Sequence, residues 1–582
     1  VPSLTESPRN ERSIKTSQPL PGAPPWTLGL LLALPLSLLY LILAPPGADL
    51  AAATYRSDLF SRVGFTIWDN GWYSGHALPS YSLISPALGA WLGVRPLLAL
   101  SAVAGAALFG VLATKAFPPT AARVATLSFA FGLCCELPSG RVPYDLGVAL
   151  GLASLAVLAA PGSSGSPSPG HQPLGGEPPS AASLSPGRRS LSLLLALLTT
   201  VASPVAGAFL GLAGLAYALA ALSASPRRAP EATAGLALCG VSLVPILLLG
   251  LAFSEGGYEP FAAGALWPEL GGALAVAVLL PQGTLSPHAC KTLRIGAGLY
   301  AIALLASYLL KTPMGGNAAR LGELLGAPLL AGTLWQRRRL LIMLCPLLLY
   351  WQLATSVHDQ ISLAGDPTAS ASYYAPLRRE LEQLSSGKPL RVEVPLTTSH
   401  WEAAYLPRGN ISIARGWERQ LDVRYGALFY EKRLTAAAYR DWLHSDAISY
   451  VALPNGHIDS AGQAEARLIR QGLPYLRQAW HTGDWKLYEV RDQTPLVQRP
   501  ATLLSLSSDT FAIQAPRSGS YEVRLRWTPY WKPSSPDACV EQAPHGYIEV
   551  QAHAAGRISV EISFSLDRIF SQGPRCSADA TP

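Results

Sequence analysis

The sequence predicts a polytopic α-helical membrane protein of about eleven spans, with a C-terminal water-exposed domain made of an α/β part and a β-sandwich part. Three observations predict it. Only 14% of the 582 residues are charged and 49% are hydrophobic, whereas a soluble chain is usually nearer to about 25% charged. The deficit is confined to residues 27–356, a series of apolar runs, while 357–582 have ordinary soluble composition. Positive charge recurs in short clusters beside the runs, where it sets orientation. The net charge of +7 is distributed in that way, so it implies no nucleic-acid partner. Arg outnumbers Lys, and Ala, Gly, Leu and Pro dominate, a bias associated with high-GC bacteria.

A spanning helix needs roughly 20 mostly apolar residues. The first run, 27–44, follows a tail (1–26) bearing Arg9, Arg12 and Lys15. No small-residue cleavage site follows it, so the run is read as a retained helix rather than a signal peptide. Further runs fall at about 95–114, 120–137, 143–160, 190–203, 205–223, 233–253, 271–282, 294–310, 319–335 and 340–356. The basic loops are the N-terminal tail, Lys115 to Arg123, Arg188-Arg189, Arg227-Arg228, Lys291 to Arg294, and Arg337 to Arg339. With eleven spans and a cytoplasmic N-terminus, all six fall inside. Residues 45–94, 138–142, 254–270, 311–318 and the C-terminal domain then fall outside the cell membrane. Residues 161–189 read as a Pro/Gly/Ser linker on the cytoplasmic side, expected to be disordered.

The first outer loop is unusual. Residues 50–63 form a loosely amphipathic helix with Arg56, Asp58 and Arg62 on the charged face, suited to the membrane interface. Then comes "GFTIWDNGWYSGHALPSYSLISP", 64–86, too polar to span and too aromatic for an ordinary solvated loop. The stretch 82–93 is apolar but short, and reads as re-entrant or interfacial.

This order resembles the GT-C superfamily of polytopic membrane glycosyltransferases. Asp49 follows the first span, helix 50–63 comes next, and the aromatic loop leads to "SPALGAWLG" and the second span. Many members carry two adjacent acidic residues at the loop start; here Leu50 follows Asp49. The segments "YRSDLF", "WDNGWYSGH" and "GGNAARLGELLGAPLLAG" are also similar to a family of uncharacterised actinobacterial membrane proteins. The superfamily resemblance implies transfer of a sugar from a polyprenyl-phosphate-linked donor to a cell-envelope glycan or lipid acceptor on the outer face.

That chemistry needs a carboxylate to take the acceptor proton, and cations for the carrier phosphate and the leaving group. Asp49 is the first candidate base, its alternative being a solvated helix–loop junction. Asp69 is the second, although Asp-Asn-Gly is also strong turn chemistry. Trp68, Trp72, Tyr73 and Tyr81 suit a sugar platform or an interface belt, and His76 a sugar or phosphate contact or a structural role. In 309–332, Gly315-Gly316 breaks the backbone before Asn317 and Arg320 open the next helix. Lys311, Asn317 and Arg320 therefore form a candidate phosphate site, the alternative being an Arg320–Glu323 pair. Arg141 is read as pairing with Asp145 inside apolar flanks. "EGGYEPF", 255–261, is a further outer loop able to contact an acceptor.

No nucleotide-binding loop, CxxC, Cys/His zinc spacing or HExxH occurs. A divalent metal beside Asp49 or Asp69 is compatible with these residues, and nothing requires one. A transporter or flippase of envelope lipids, or a non-catalytic assembly protein, are the other classes; a transporter is expected to bear ionisable residues deep in several spans.

In the C-terminal domain, 357–500 mixes amphipathic helices (376–386, 465–472) with strands (390–396, 447–454, 485–490). From 501 to 582, alternating segments at 520–527, 546–553 and 556–564 predict an antiparallel sandwich. Trp527, Tyr530 and Trp531 suit either its core or a carbohydrate contact. Cys539 and Cys576 can pair if the domain lies outside the cytoplasm.

Overall fold

The computed structural model describes residues 22–160, 185–224, 228–280, 285–570 and 576. The predicted linker at 161–189 lies outside the described residues except for its end.

Helices stand at every predicted run. They are α1 (Pro25–Leu43), α4 (Val94–Ala116), α5 (Pro119–Glu136), α6 (Val142–Ala159), α7 (Pro186–Ala202), α8 (Pro204–Leu222), α9 (Ala229–Ala252), α10 (Ala263–Leu279), α11 (Pro287–Leu309), α12 (Arg320–Thr333) and α13 (Arg338–Leu363). Between α1 and α4 lie α2 (Ala48–Val63) and α3 (Ser85–Leu92). Proline opens α1, α5, α7, α8 and α11, where its missing N–H costs nothing. Ser203 and Ser286 cap α8 and α11 by accepting from Ala206 N and Ala289 N. Eight helices among the described residues are long and apolar enough to cross a membrane; α7, α10 and α12, of 17, 17 and 14 residues, are shorter. Small residues let the helices approach closely. A Cβ on Gly29 of α1 would stand 2.6 Å from the Ala106 carbonyl oxygen of α4.

Four elements differ from expectation. Helix α10 begins at Ala263, eight residues before the predicted 271, so the end of the predicted outer loop 254–270 is helical, and α11 begins at Pro287, seven residues before the predicted 294. Helix α13 runs on to Leu363, seven residues past the predicted 356, and carries Asp359 and Gln360 back onto the 137–139 turn. Helix α2 does not lie with one face in lipid. Its first three turns are buried, Arg56 included, because it packs against α3, α4 and α6 on one side and the C-terminal domain on the other. Only its last turn is open. There Arg62 and Arg408 both pair with Asp58.

The C-terminal domain opens with α14 (Ala371–Ser385) and contains a five-stranded mixed sheet. Its strands are β3 (Leu390–Glu393), β4 (Ile411–Ile413), β5 (Tyr450–Pro454), β6 (Leu476–His481) and β7 (Trp485–Val490), ordered β4-β3-β5-β7-β6. Pairs β3/β4 and β3/β5 are parallel and the others antiparallel. The short helices are α15 (Glu402–Tyr405), α16 (Arg419–Tyr425), α17 (Ala427–Tyr430), α18 (Ala436–Ser445) and α19 (Ser460–Arg470). The sandwich follows: β8 (Thr502–Leu506), β9 (Thr510–Ala515), β10 (Gly519–Arg526), β11 (Trp531–Pro533), β12 (Ala538–Gln542), β13 (Tyr547–Ala552) and β14 (Gly556–Ile562). Sheet β10-β13-β12 faces sheet β11-β14-β9-β8 across a core containing Phe511, Val523, Trp531, Val550 and Val560. Tyr530 and Trp531 are buried rather than displayed. Cys539 and Cys576 form a disulfide.

The aromatic loop joins these bodies. It holds a small hairpin, β1 (Trp68–Asp69) with β2 (His76–Ala77). Ile413 N, at the β4 edge, donates to Gly71 O at 2.9 Å. On the sandwich side, Asn70 N donates to Ser508 O and Arg526 N to Ser74 O, both at 2.8 Å. The Trp68 ring enters the sandwich core, 6.0 Å edge-on from Trp531. Trp72 Nε1 donates to Ala403 O of α15 at 3.0 Å. The loop is therefore a wedge between helices, mixed sheet and sandwich.

Candidate functional site

Charged residues from distant helix ends meet above the bundle. Asp49 lies in the first turn of α2, Arg141 caps α6, and Arg320 opens α12. Asp49 Oδ2 stands 3.7 Å from Arg141 Nε and 3.7 Å from Arg320 Nη2. Arg141 Nη1 also pairs with Glu323 Oε2 at 3.5 Å, and Glu323 Oε1 accepts from Thr355 Oγ1 at 2.9 Å. The Arg320 guanidinium lies over the Tyr144 ring, and the Tyr144 hydroxyl donates to Arg320 O at 3.2 Å. Gly140 makes the approach of Arg141 feasible: its φ is +80°, and a Cβ there would stand 2.6 Å from Leu50 N.

Asp49, Arg141, Tyr144 and Arg320 line a cavity of about 750 Å³ with walls of different character. Asp49, Tyr81, Arg141, Asn317 and Arg320 form one side; Val205, Ala208, Ile246 and Leu249, from α8 and α9, form an apolar side. Trp417, Glu418 and Arg419 of the C-terminal domain also line it, as do Glu255 and Glu259 of the 253–262 loop. A second cavity of about 250 Å³ lies among α6, α8, α10, α11 and α12, walled by apolar side chains and by Gly147, Gly151, Gly272 and Gly296. Tyr144 borders both cavities.

The 415–422 segment is fixed from below. Arg415 grips Asp422 with two hydrogen bonds, of 2.8 and 2.9 Å, and reaches Glu465 at 3.2 Å. Bidentate geometry of this kind locks direction as well as distance. Trp417 is stacked on His400 at 3.4 Å, with the Arg419 guanidinium 4.8 Å from its ring. Arg56, 2% exposed, sits over Tyr81 and Trp72 and holds Glu418 Oε2 at 2.5 Å. Burial raises the pKa of Glu418, and Arg56 opposes that rise. Burial likewise pushes Glu255 up to about 8 and Glu259 up to about 7. Tyr81, between these charges, is pushed up to about 12 by burial.

Asp49, Asn317 and Arg320 thus share one cavity. Lys311 is not among its lining residues; its ammonium lies 5.1 Å from the Tyr258 ring. Asp69 is elsewhere too, accepting from the Tyr55 hydroxyl at 2.8 Å and from Gly71 N at 3.1 Å, the latter closing an Asx-turn. Burial lifts its pKa to about 6, while those two donors pull it down. His76 is fully buried against Trp72, with Nδ1 3.1 Å from Asp69 O, and burial lowers its pKa to about 3. Trp68, Trp72 and Tyr73 are buried in the wedge, so they form neither an open sugar platform nor an interface belt. In place of the expected Arg141–Asp145 pair and the alternative Arg320–Glu323 pair, the structure has Arg141–Asp49, Arg141–Glu323 and Arg320–Asp49. Trp417, Glu418 and Arg419 carried no local signal in the sequence, whereas Glu255 and Glu259 sit in an outer loop already singled out by its composition.

Buried carboxylates do occur in the helices. Glu136 and Asp145, with the half-buried Glu323, lie within one turn of the helix end nearest the cavity, whereas Glu231 is buried in the first turn of α9 at the opposite end. Glu269 lies less than two turns into α10, accepting from Tyr300 and Trp351. Among the described residues no three His, Cys, Asp or Glu side chains gather as a metal site. No protein-family model matches the chain, and no curated protein matches it.

Proposed function

We propose that the chain is a membrane glycosyltransferase with eleven crossings, moving a sugar from a polyprenyl-phosphate donor to a cell-envelope acceptor at an outer-face cavity. The observation that carries the reading is the placement of Asp49 beside Arg141 and Arg320, in a cavity with one apolar and one polar wall.

Contacts between helix ends support the topology. One pole gathers Asp49, Arg141, Leu83–Val201, Glu259–Thr312, Arg320 and Asp359–Ser139. The other gathers Arg188 with Val157 and Ala160, Lys291 with Ser223, and Arg294 with Leu280. All eleven helices alternate between these poles, and the basic residues mark the second, as a cytoplasmic face would. Helices α7, α10 and α12 are about 26, 26 and 21 Å long, short against about 30 Å of hydrocarbon. Each keeps the alternation, which its loss would break. The Cys539–Cys576 disulfide agrees with an oxidising compartment for the C-terminal domain.

The chemistry follows from the walls. Arg141 and Arg320 hold the carrier phosphate through charge-assisted hydrogen bonds. The α8–α9 wall, and the apolar cavity beyond Tyr144, take the start of the isoprenoid chain. Asp49 takes the proton of the acceptor hydroxyl; that oxygen bonds to the anomeric carbon as the bond from carbon to phosphate oxygen breaks. The polyprenyl phosphate leaves with the bond's electrons, its charge stabilised by the two arginines. Glu418 and Arg419 face the acceptor side. A transport pathway is less well supported, because Glu136, Asp145 and Glu269 lie toward the cavity end and Glu231 in the first turn at the opposite end, with no series of buried carboxylates joining them along the spans among the described residues.

Incubation of the protein in lipid nanodiscs with a panel of radiolabelled polyprenyl-phosphate sugars and an envelope extract tests this. Transfer of label from at least one donor is expected. Absence of turnover from every donor, with Asp49→Asn harmless in cells, contradicts it.

A further inference from the structure

We infer that the β-sandwich has its own contact with the bilayer, in which Phe564, Leu566 and Phe570 enter the boundary between headgroups and acyl chains beside α9. The inference rests on α9 crossing the membrane and is independent of the transferase reading.

The level of the membrane surface can be read from α9. Its 24 residues span about 36 Å, more than the roughly 30 Å of hydrocarbon. Its far end is marked by Arg228 and by the buried Glu231. Its near end, with Leu247, Leu248 and Leu251 exposed on the outside of the bundle, therefore emerges at the headgroup boundary. Phe253 is the residue that terminates it.

The sandwich is bound to that residue. The Tyr530 hydroxyl donates to Ala252 O at 2.8 Å. Phe253 lies 5.5 Å from Tyr530 and 6.1 Å from Phe564, the latter pair stacked, and Tyr530 lies 5.3 Å from Phe564. The end of a membrane helix and the tip of the sandwich thus share one aromatic cluster, which fixes Phe564 at the same level. From there the chain displays three large apolar side chains: Phe564 is 48% exposed, Leu566 69% and Phe570 88%. Arg568 donates to Pro529 O and Trp531 O, both at 3.0 Å, tying the segment to the sandwich. Phe and Leu are among the side chains that interfacial segments bury at the boundary between headgroups and acyl chains, where burial of apolar area is favourable. The continuity with α9 identifies lipid, rather than a second protein, as the surface that covers them.

The test uses the full chain in nanodiscs of phosphatidylethanolamine and phosphatidylglycerol, with the photo-crosslinking residue p-benzoylphenylalanine replacing Phe570 and, separately, Phe564. Phe570 is almost wholly exposed, so its replacement leaves folding intact. A third protein carries the same residue at the exposed Arg470 of α19. After illumination, intact-mass and peptide analysis are expected to find phospholipid adducts at 570 and 564 at least tenfold above those at 470. Adducts no more abundant than at 470, or adducts to a second copy of the chain in place of lipid, overturn the inference.

Discussion

Asp49 Oδ2 lies 3.7 Å from Arg320 Nη2, which brings the first turn of α2 against the first residue of α12. The pair links the segment after the first predicted run to the start of the tenth. It defines the charged floor on which the proposed chemistry depends, and Arg141 completes it from the turn before α6.

Arg320→Ala is expected to weaken donor binding more than turnover. A hydrogen bond to a charged group contributes about 1.5–3 kcal/mol, so KM for the polyprenyl-phosphate sugar should rise about 10- to 100-fold. Arg320→Lys should recover part of the loss, since lysine keeps the charge but not the planar fork. Initial-rate measurements over a donor series check this.

Arg56 and Glu418 couple the membrane helices to the C-terminal domain. Glu418→Gln leaves a buried guanidinium without its counter-charge, so stability should fall by about 3–5 kcal/mol. Arg56→Met should cost a similar amount through Glu418. The double variant should lose clearly less than the sum, because no charge is stranded in it. Thermal unfolding of the four proteins in one detergent gives the coupling.

Trp72 fills the joint between helices, mixed sheet and sandwich and is fully buried. Trp72→Ala should cost about 3–5 kcal/mol and should loosen the C-terminal domain, read as earlier proteolysis between the bodies. Donor KM in the surviving folded fraction should change little. A large rise in donor KM at unchanged stability would place Trp72 on the substrate instead.

His76 makes the joint acid-sensitive. Burial holds its pKa at about 3 in the folded protein, against about 6.5 when unfolded. The unfolded state binds more protons between those values, so stability is full above about 6.5 and is lost as pH falls toward 3. Asp69 acts oppositely. Its folded value of about 6 makes stability fall as pH rises from about 4 to about 6. His76→Gln should therefore remove up to about 1.4 kcal/mol per pH unit of the acid-side slope. Unfolding midpoints from pH 7.5 to pH 4.5 measure it.

The helical part was legible because length and apolar composition are local properties, and every predicted run carries a helix. Asp49, Asn317 and Arg320, which line one cavity, were legible as candidates because polar groups beside apolar runs have few inexpensive places to go. The fate of the aromatic loop was not legible. Trp68, Trp72 and His76 look alike in sequence whether they meet sugar, lipid or another domain, and only the docking of β4 and the sandwich decides it. Trp417, Glu418 and Arg419 were hidden for the same reason, since their place in the cavity comes from contacts made hundreds of residues away.

The most direct measurement compares wild type and Asp49→Asn in nanodiscs, following both polyprenyl-phosphate binding and sugar transfer. Loss of a catalytic proton acceptor typically lowers the rate by about 10²–10⁴-fold. The account predicts such a loss in transfer, with carrier binding to Arg141 and Arg320 retained. Transfer by Asp49→Asn at the wild-type rate would contradict it.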